Sequence, residues 1–161
     1  MIREPREPLE TEVIMLVKDI MTAHPVCCTP DSTLEQAARL MIDNDCGEIP
    51  VVDDPETMMP IGVLTDRDIT CRSVGKGLNP LEMTVSDCMS TPLVSVMPDT
   101  SLEECYRVLE ENQIRRVPVV DARGQCVGIV SLADIARSVS KADSGEILQE
   151  VSAASLSASN V

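Results

Sequence analysis

The hydrophobic and polar positions of the chain follow two patterns, one typical of helices and one typical of buried strands. Apolar or weakly polar side chains recur at helical spacing at positions 34, 37, 38 and 41, and again at 102, 105, 106 and 109. This spacing predicts two amphipathic helices. Near-continuous apolar runs, typical of strands in a sheet buried on one or both faces, lie at 49–52, 61–64, 117–120 and 126–130.

Shorter sequence signals predict further elements before and after these helices and strands. We predict short extended segments at 26–29 and 93–97, and further helices that begin near residues 66 and 132. Ser32-x-x-Glu35 and Thr100-x-x-Glu103 have the spacing of capping boxes, which places the start of each amphipathic helix. The predicted order is β-α-β-β-α, and it occurs twice.

The second half of the chain repeats the first. With a shift of 68 positions, thirteen of the 35 residues from 19 to 53 are identical to their counterparts, ending with PVVD on PVVD. After a loop that is two residues longer in the first copy, GVLTDRD (62–68) falls on GIVSLAD (128–134). Such self-similarity indicates a duplicated unit, and a copy of roughly 60 residues buries too little surface to be comfortable alone. We therefore predict an α/β fold of the α+β kind, in which two β-α-β-β-α repeats are related by pseudo-twofold symmetry and their sheets pack together.

This pattern also divides the chain. We expect an N-terminal arm at 1–16, a first repeat at 17–73, a linker at 74–84, a second repeat at 85–139 and a partly disordered tail at 140–161. Chain ends often fray unless they dock on a partner. We expect fraying for the last ten residues, with docking onto a dimer mate or a target as the alternative for either end.

Charge and aromatic content exclude some classes of partner. The 161 residues carry a formal net charge of −14, with no Trp, no Phe and Tyr106 as the single aromatic residue. Such a chain repels a phosphate backbone and has no aromatic platform for bases, so we expect no nucleic-acid partner. Its early apolar run is too short for a signal sequence or a membrane span, so we expect a cytoplasmic protein without membrane insertion.

The repeated segments GVLTDRD and GIVSLAD carry the candidate binding chemistry. Thr65 and Ser131 are placed to cap the following helix, and Asp68 and Asp134, three residues later, suit its first turn. The same geometry suits a ligand, because a helix N-terminus attracts anions. An ionised aspartate also accepts hydrogen bonds from two adjacent hydroxyls, as a ribose offers. For either segment alone helix capping is the favoured interpretation, and the two roles are compatible.

The two repeats differ in charge before their second strands. Arg115 and Arg116 form the only adjacent basic pair in the sequence, whereas the aligned positions of the first repeat hold Gly47 and Glu48. Arginine is well suited to phosphate, so sites built at these positions would be unequal. A solvated strand entry is an equally good interpretation of the arginine pair.

Taken together, these motifs resemble a pair of CBS domains. D-x-M opens each repeat, P-D-x-x-L precedes each amphipathic helix, h-P-V-V-D lies on the second strand, and G-h-h-T/S-x-x-D follows, all within residues 17–139. The resemblance implies a regulatory module and not an enzyme, in the form of a flat homodimeric disc with no required cofactor. It also implies that AMP, ADP, ATP, S-adenosylmethionine or a related adenosyl ligand binds between the repeats and that an unidentified target protein is regulated in trans.

The resemblance implies roles for single residues as well. Asp68 and Asp134 would hold the ribose, and Thr65 and Ser131 would contact the ribose or a phosphate.

In such pairs, residues before the second strand of one repeat reach phosphates held by the other repeat. Arg115 and Arg116 would therefore serve the site of Asp68. Ile49 and Val117, which precede prolines, would be apolar walls for the purine, although core packing is the more frequent use of such residues.

Two other functions remain open. The chain would be a dimerisation or interaction scaffold if both T/S-x-x-D segments only cap helices. It would be a thiol redox protein if Cys27 and Cys28 were exposed, although neighbouring cysteines form only a strained disulfide. We otherwise interpret the seven cysteines as buried free thiols, because the sequence has no C-x-x-C pair and His24 is its single histidine. We find no catalytic constellation and expect no metal site.

Overall fold

The computed structural model describes residues 15–139, so most of the predicted arm and the whole predicted tail lie outside the described residues. The helices are α1 Val17–Ile20, α2 Leu34–Asp43, α3 Asp66–Arg72, α4 Val85–Cys88, α5 Leu102–Glu111 and α6 Leu132–Ser138. The strands are β1 Thr22–Ala23, β2 Glu48–Val52, β3 Pro60–Thr65, β4 Arg116–Val120 and β5 Cys126–Ser131. Short 3₁₀ turns occupy Val74–Lys76 and Pro80–Glu82.

Each repeat is built on an antiparallel hairpin. In the first repeat β2 pairs with β3, and Ile49 lies opposite Leu64. In the second repeat β4 pairs with β5, and Val117 lies opposite Val130. All four of these side chains are fully buried, as the continuous apolar runs predicted. The α+β class with tandem repeats is confirmed.

The amphipathic helices cover these hairpins as their stripes predicted. The apolar faces of α2 and α5 bury Leu34, Ala37, Met41, Leu102, Cys105 and Leu109. The helices α3 and α6 follow the hairpins without an intervening loop, so each begins at the edge of a sheet. This junction places the hydroxyl of the T/S-x-x-D segment at a fixed point between strand and helix.

The segment that begins each repeat pairs with the hairpin of the other repeat. Strand β1 of the first repeat pairs with β5 of the second, where Thr22 lies opposite Ile129. Ser90, the counterpart of Thr22, bridges Val63 on β3 of the first repeat.

Core packing follows the same exchange. Val17 belongs to the core of the second repeat, whereas Val85 and Cys88 belong to the core of the first. Residues that begin one sequence repeat therefore complete the core of the other.

Two local predictions were wrong in detail. The segments at 26–29 and 93–97 form no strands, and each makes only an isolated parallel bridge, Cys28 with Val51 and Val96 with Val119. Prolines at 30 and 98 end both segments, and a proline lacks the N–H that continued pairing requires.

The helix caps lie one residue later than the capping-box motifs indicated. Thr33 and Gln36 form the box of α2, with Oγ1 of Thr33 accepting from the Gln36 N–H at 3.1 Å. Ser101 caps α5. The hydroxyls of Ser32 and Thr100 instead accept backbone N–H groups of the turns before the helices.

Candidate functional site

The two T/S-x-x-D segments form reciprocal helix caps. Oγ1 of Thr65 accepts from the Asp68 N–H at 3.0 Å, and Oδ2 of Asp68 accepts from the Thr65 N–H at 3.0 Å. At the start of α6, Oγ of Ser131 accepts from the Asp134 N–H at 3.2 Å, and Oδ2 of Asp134 accepts from the Ser131 N–H at 2.8 Å. The capping role is therefore present in both copies, and it fixes both carboxylates at a sheet edge.

The carboxylate of Asp68 has further partners inside the protein. Arg72, one turn along α3, lies 3.4 Å from Oδ1, and the Ser90 hydroxyl lies 3.4 Å from both oxygens. Arg72 is itself held by the carbonyl groups of Cys88 and Met89, at 2.7 and 2.8 Å. Internal donors thus surround the carboxylate in the first repeat.

Asp134 has a different environment. Its additional charged partner, Arg137, lies 3.3 Å from Oδ1, and the Arg137 side chain is 75% exposed. At the position corresponding to Arg72, the second repeat has Ser138, whose hydroxyl donates to the Asp134 backbone carbonyl. Oδ1 of Asp134 thus contacts an exposed surface cation, while Oδ2 accepts from the N–H and the hydroxyl of Ser131, so Oδ1 is more available to a ligand than the oxygens of Asp68.

A cavity of about 300 Å³ lies beside Asp134. Residues of both repeats form its walls: Thr22, His24, Pro25, Val26, Asn44, Asp45, Cys46 and Glu48 from the first, and Arg116, Ile129, Ser131 and Asp134 from the second. The volume is at the lower end of the range for small-molecule sites. The cavity combines a hydroxyl and a carboxylate from one repeat with residues from both repeats, so it is a cleft between them.

Arg116 lies between the two repeats. It begins β4 opposite Ser131 and lines the Asp134 cavity. It also lines an open groove beside Asp66 and Ile69 of α3. The structure thus brings Arg116 to the cavity of Ser131 and Asp134, whereas the resemblance implies that it serves the site of Asp68, which does not line the groove beside α3.

The other predicted site residues lie elsewhere. Ile49 and Val117 are fully buried in the two cores and do not line the Asp134 cavity, whose apolar wall includes Val26 and Ile129. The backbone carbonyl of Arg115 accepts from the Leu132 N–H at 2.8 Å, which ties the entry of β4 to α6.

Glu48 is the residue that sequence reasoning missed. It begins β2 opposite Thr65 and lines the Asp134 cavity together with Arg116, its counterpart in the second repeat. The residue is 8% exposed, and its Oε1 has no hydrogen-bond partner. Burial, against the attraction of Arg116 and with a smaller contribution from the negative charge of Asp68, raises the pKa of Glu48 to about 7. The alignment of Glu48 with Arg116 was the available signal, but burial was not visible in it.

The adjacent cysteines are not equally accessible. Cys28 is buried, and this burial raises its pKa to about 11. Cys27 is half-buried, and its thiol donates to the Pro25 carbonyl at 3.4 Å. The neighbouring Cys126 thiol and burial raise the pKa of Cys27, whereas the same neighbour contact lowers the pKa of the buried Cys126. Because the thiolate is the reactive form of cysteine, these environments give the redox hypothesis no support.

Neither a metal cluster nor a membrane-spanning helix is found in the described part of the chain. Residues 15–139 contain no group of three or more His, Cys, Asp or Glu side chains placed to hold a metal ion. Over the same range, no helix is long and apolar enough to cross a bilayer.

Known proteins share both the motifs and the architecture. A profile of the CBS domain matches the chain twice, at residues 17–74 and 85–141. The CBS domain-containing protein YhcV of Bacillus subtilis is 41% identical over 137 residues, which cover 84% of this chain and 94% of YhcV.

Two solved structures carry adenosine compounds. The CBS domain pair of protein MJ0100, in complex with 5′-methylthioadenosine and S-adenosyl-L-methionine, matches with a TM-score of 0.70 and 26% identity, over 78% of this chain and 95% of that one. CBSX2 in complex with AMP matches with a TM-score of 0.64 and 29% identity, over 76% of this chain and 94% of that one.

Proposed function

We propose a function on the premise that this chain belongs to the CBS domain family, of which it carries two copies in tandem, as its motifs predicted. The protein is a non-catalytic ligand sensor. It binds an adenosine-containing compound in the cleft between its repeats and passes the change to a partner protein in trans. A ligand can shift the equilibrium between two conformations of the protein only by as much as its affinities for those two conformations differ.

One observation carries this proposal, the cavity that joins Ser131 and Asp134 to residues of the first repeat. The fixed carboxylate of Asp134 is suited to accept the 2′ and 3′ hydroxyls of a ribose. Arg116 at the same cavity supplies a cation for an anionic group of the ligand. The structures of MJ0100 and CBSX2, which hold adenosyl compounds and AMP, support this ligand class.

We further propose that the two sites are unequal and that the Asp134 site fills first. At Asp68 a ligand would compete with Arg72 and Ser90, which already contact the carboxylate. At Asp134 the Ser131 hydroxyl of the same motif donates to Oδ2 at 2.6 Å, and at Oδ1 a ligand would compete with the exposed Arg137. Thr65 and Asp68, with Arg115 and Arg116, stay assigned to a second and weaker site, and Ile49 and Val117 to the apolar surroundings of the two sites.

The ribose role of Asp134 is tested by replacing it and a matched aspartate that only caps a helix. Asp87 has the equivalent capping position in α4 and does not line the cavity. We expect both Asp134→Ala and Asp87→Ala to lower the free energy of unfolding by about 1 kcal/mol. Asp134→Ala alone should weaken adenosine, AMP or S-adenosylmethionine binding by about 1.5–3 kcal/mol, measured by calorimetry.

Two results would contradict the proposal. Equal affinity for adenosine and 2′-deoxyadenosine would remove the ribose role from Asp134. If no adenosyl compound binds, after removal of any co-purified ligand, the protein is instead a dimerisation or interaction scaffold whose T/S-x-x-D segments only cap helices.

The remaining parts of the proposal concern the oligomeric state and the cellular location of the protein. We propose a homodimer, since exposed aliphatic side chains at Val74, Leu78 and Leu81, which are 50–69% exposed, would be covered by a second copy or by the target. A sedimentation experiment that gives the mass of one chain would contradict the dimer. We also place the protein in the cytoplasm, as the sequence predicted.

A further inference from the structure

Glu48 is the part of the cavity that ribose and phosphate binding do not explain. The residue is 8% exposed, and its Oε1 accepts no hydrogen bond. Buried polar groups in proteins are almost always paired, and each unpaired one calls for an explanation. Glu48 also lines the cleft, and a buried carboxylate that is not fully paired beside a ligand cleft points to a donor or a cation on the ligand.

The position of Glu48 decides which part of a ligand it meets. It corresponds to Arg116 under the 68-residue shift, and both residues line the cavity that contains Asp134. Arg116 is near enough to favour the ionised carboxylate, yet Oε1 receives no hydrogen bond from it. The cavity therefore presents an acceptor and a cation side by side.

The charge of the cavity opposes polyphosphates. Its walls hold the carboxyl groups of Asp45, Glu48 and Asp134 against the guanidinium group of Arg116. A triphosphate would bring several negative charges next to Glu48 in a partly desolvated site, where like charges repel strongly. A group that carries both a positive charge and a carboxylate would instead pair with Glu48 and Arg116 together.

We propose that Glu48 makes the Asp134 cavity selective for an adenosyl compound whose 5′ substituent carries a positive charge beside a carboxylate, the chemistry of an adenosylated amino acid, over nucleoside polyphosphates. This selectivity rests on the proposed function. Asp134 and Ser131 hold the ribose, Glu48 accepts from the cationic group, and Arg116 pairs with the carboxylate.

Calorimetry on the full chain tests this selectivity with four probes: S-adenosylmethionine, 5′-methylthioadenosine, AMP and ATP. Wild-type protein should bind S-adenosylmethionine about 10- to 100-fold more tightly than ATP, the range expected for charged hydrogen bonds. Glu48→Gln should weaken the binding of S-adenosylmethionine by about tenfold or more and strengthen the binding of ATP. The same variant should leave 5′-methylthioadenosine, which lacks the charged group, unchanged.

A matched control is Glu35→Gln, since Glu35 lies on the surface of α2 and pairs with Arg39 away from the cavity. It should leave all four affinities unchanged. Equal changes for every probe in Glu48→Gln, or no change for S-adenosylmethionine, would overturn the role of Glu48. Tighter binding of ATP than of S-adenosylmethionine to the wild type would overturn it without any variant. If none of the four probes binds the wild type or the variant, the proposed function itself is wrong.

Discussion

At the scale of single residues, positions that are equivalent in sequence have acquired different chemistry. Asp68 and Asp134 occupy the same place in their motifs, but Arg72 contacts the first and Ser138 stands at the corresponding position of the second. Glu48 and Arg116 are likewise equivalent and opposite in charge. We therefore attribute the proposed preference for the Asp134 site to substitutions around the repeated motif, because the motif itself is nearly the same in both copies.

Burial of Glu48 predicts a pH-dependent stability. Its pKa of about 7 lies above the ordinary value of 4.5, so between these values the folded protein keeps a proton that the unfolded chain has lost. The stabilisation from neutral Glu48 is complete below about pH 4.5 and is lost as the pH rises through about 7. The Glu48→Gln variant has no such loss.

We therefore expect Glu48→Gln to gain stability over wild type by about 2 kcal/mol more at pH 8 than at pH 5, because one pKa unit corresponds to about 1.4 kcal/mol. Urea unfolding of both proteins at the two pH values measures this difference. All other ionisable groups of the chain are the same in both proteins, so the comparison isolates Glu48. A difference between the proteins that does not change with pH would show that Glu48 is ionised throughout.

At the scale of elements, periodicity was a better guide than capping motifs. The buried faces of α2 and α5 agree with the predicted stripes, since an apolar stripe is averaged over several turns. The caps were displaced by one residue because Ser32 and Thr33, like Thr100 and Ser101, offer adjacent hydroxyls, and the sequence does not show which one the turn uses. The segments at 26–29 and 93–97 were predicted as strands from local composition, but strand pairing depends on a distant partner.

At the scale of the whole molecule, the exchange of segments explains the repeated glycine of GVLTDRD and GIVSLAD. A Cβ at Gly62 would lie 2.6 Å from the Ser90 carbonyl oxygen, which belongs to the exchanged segment. A Cβ at Gly128 would meet the side chain of Met21 at 2.5 Å and the Thr22 carbonyl oxygen at 3.3 Å. The glycines therefore allow the two repeats to approach each other.

This contact predicts unequal effects of alanine at the two glycines. Gly62→Ala should lower the free energy of unfolding by about 1–3 kcal/mol, a typical cost of overpacking, because a backbone carbonyl cannot move aside. Gly128→Ala should cost less, since the nearest atoms belong to the flexible Met21 side chain. Gly75→Ala is the control, as its Cβ would meet its nearest atom at 3.4 Å. Urea denaturation of the three variants measures the order, and equal losses for Gly62→Ala and Gly75→Ala would contradict it.

The sequence by itself determined the duplication, the α+β class, the buried faces and the position of both T/S-x-x-D segments at helix starts, because these depend on neighbours within a few residues or on a comparison of the chain with itself. Only the tertiary structure decided that the repeats exchange their leading segments, that Ser90 contacts Asp68 while the carbonyl groups of Cys88 and Met89 hold Arg72, and that Oε1 of Glu48 is buried without a partner. Each of these features joins residues that are distant in the chain or depends on how much water remains around a side chain. Neither a contact between distant residues nor the amount of water around a side chain has a local signal in the sequence.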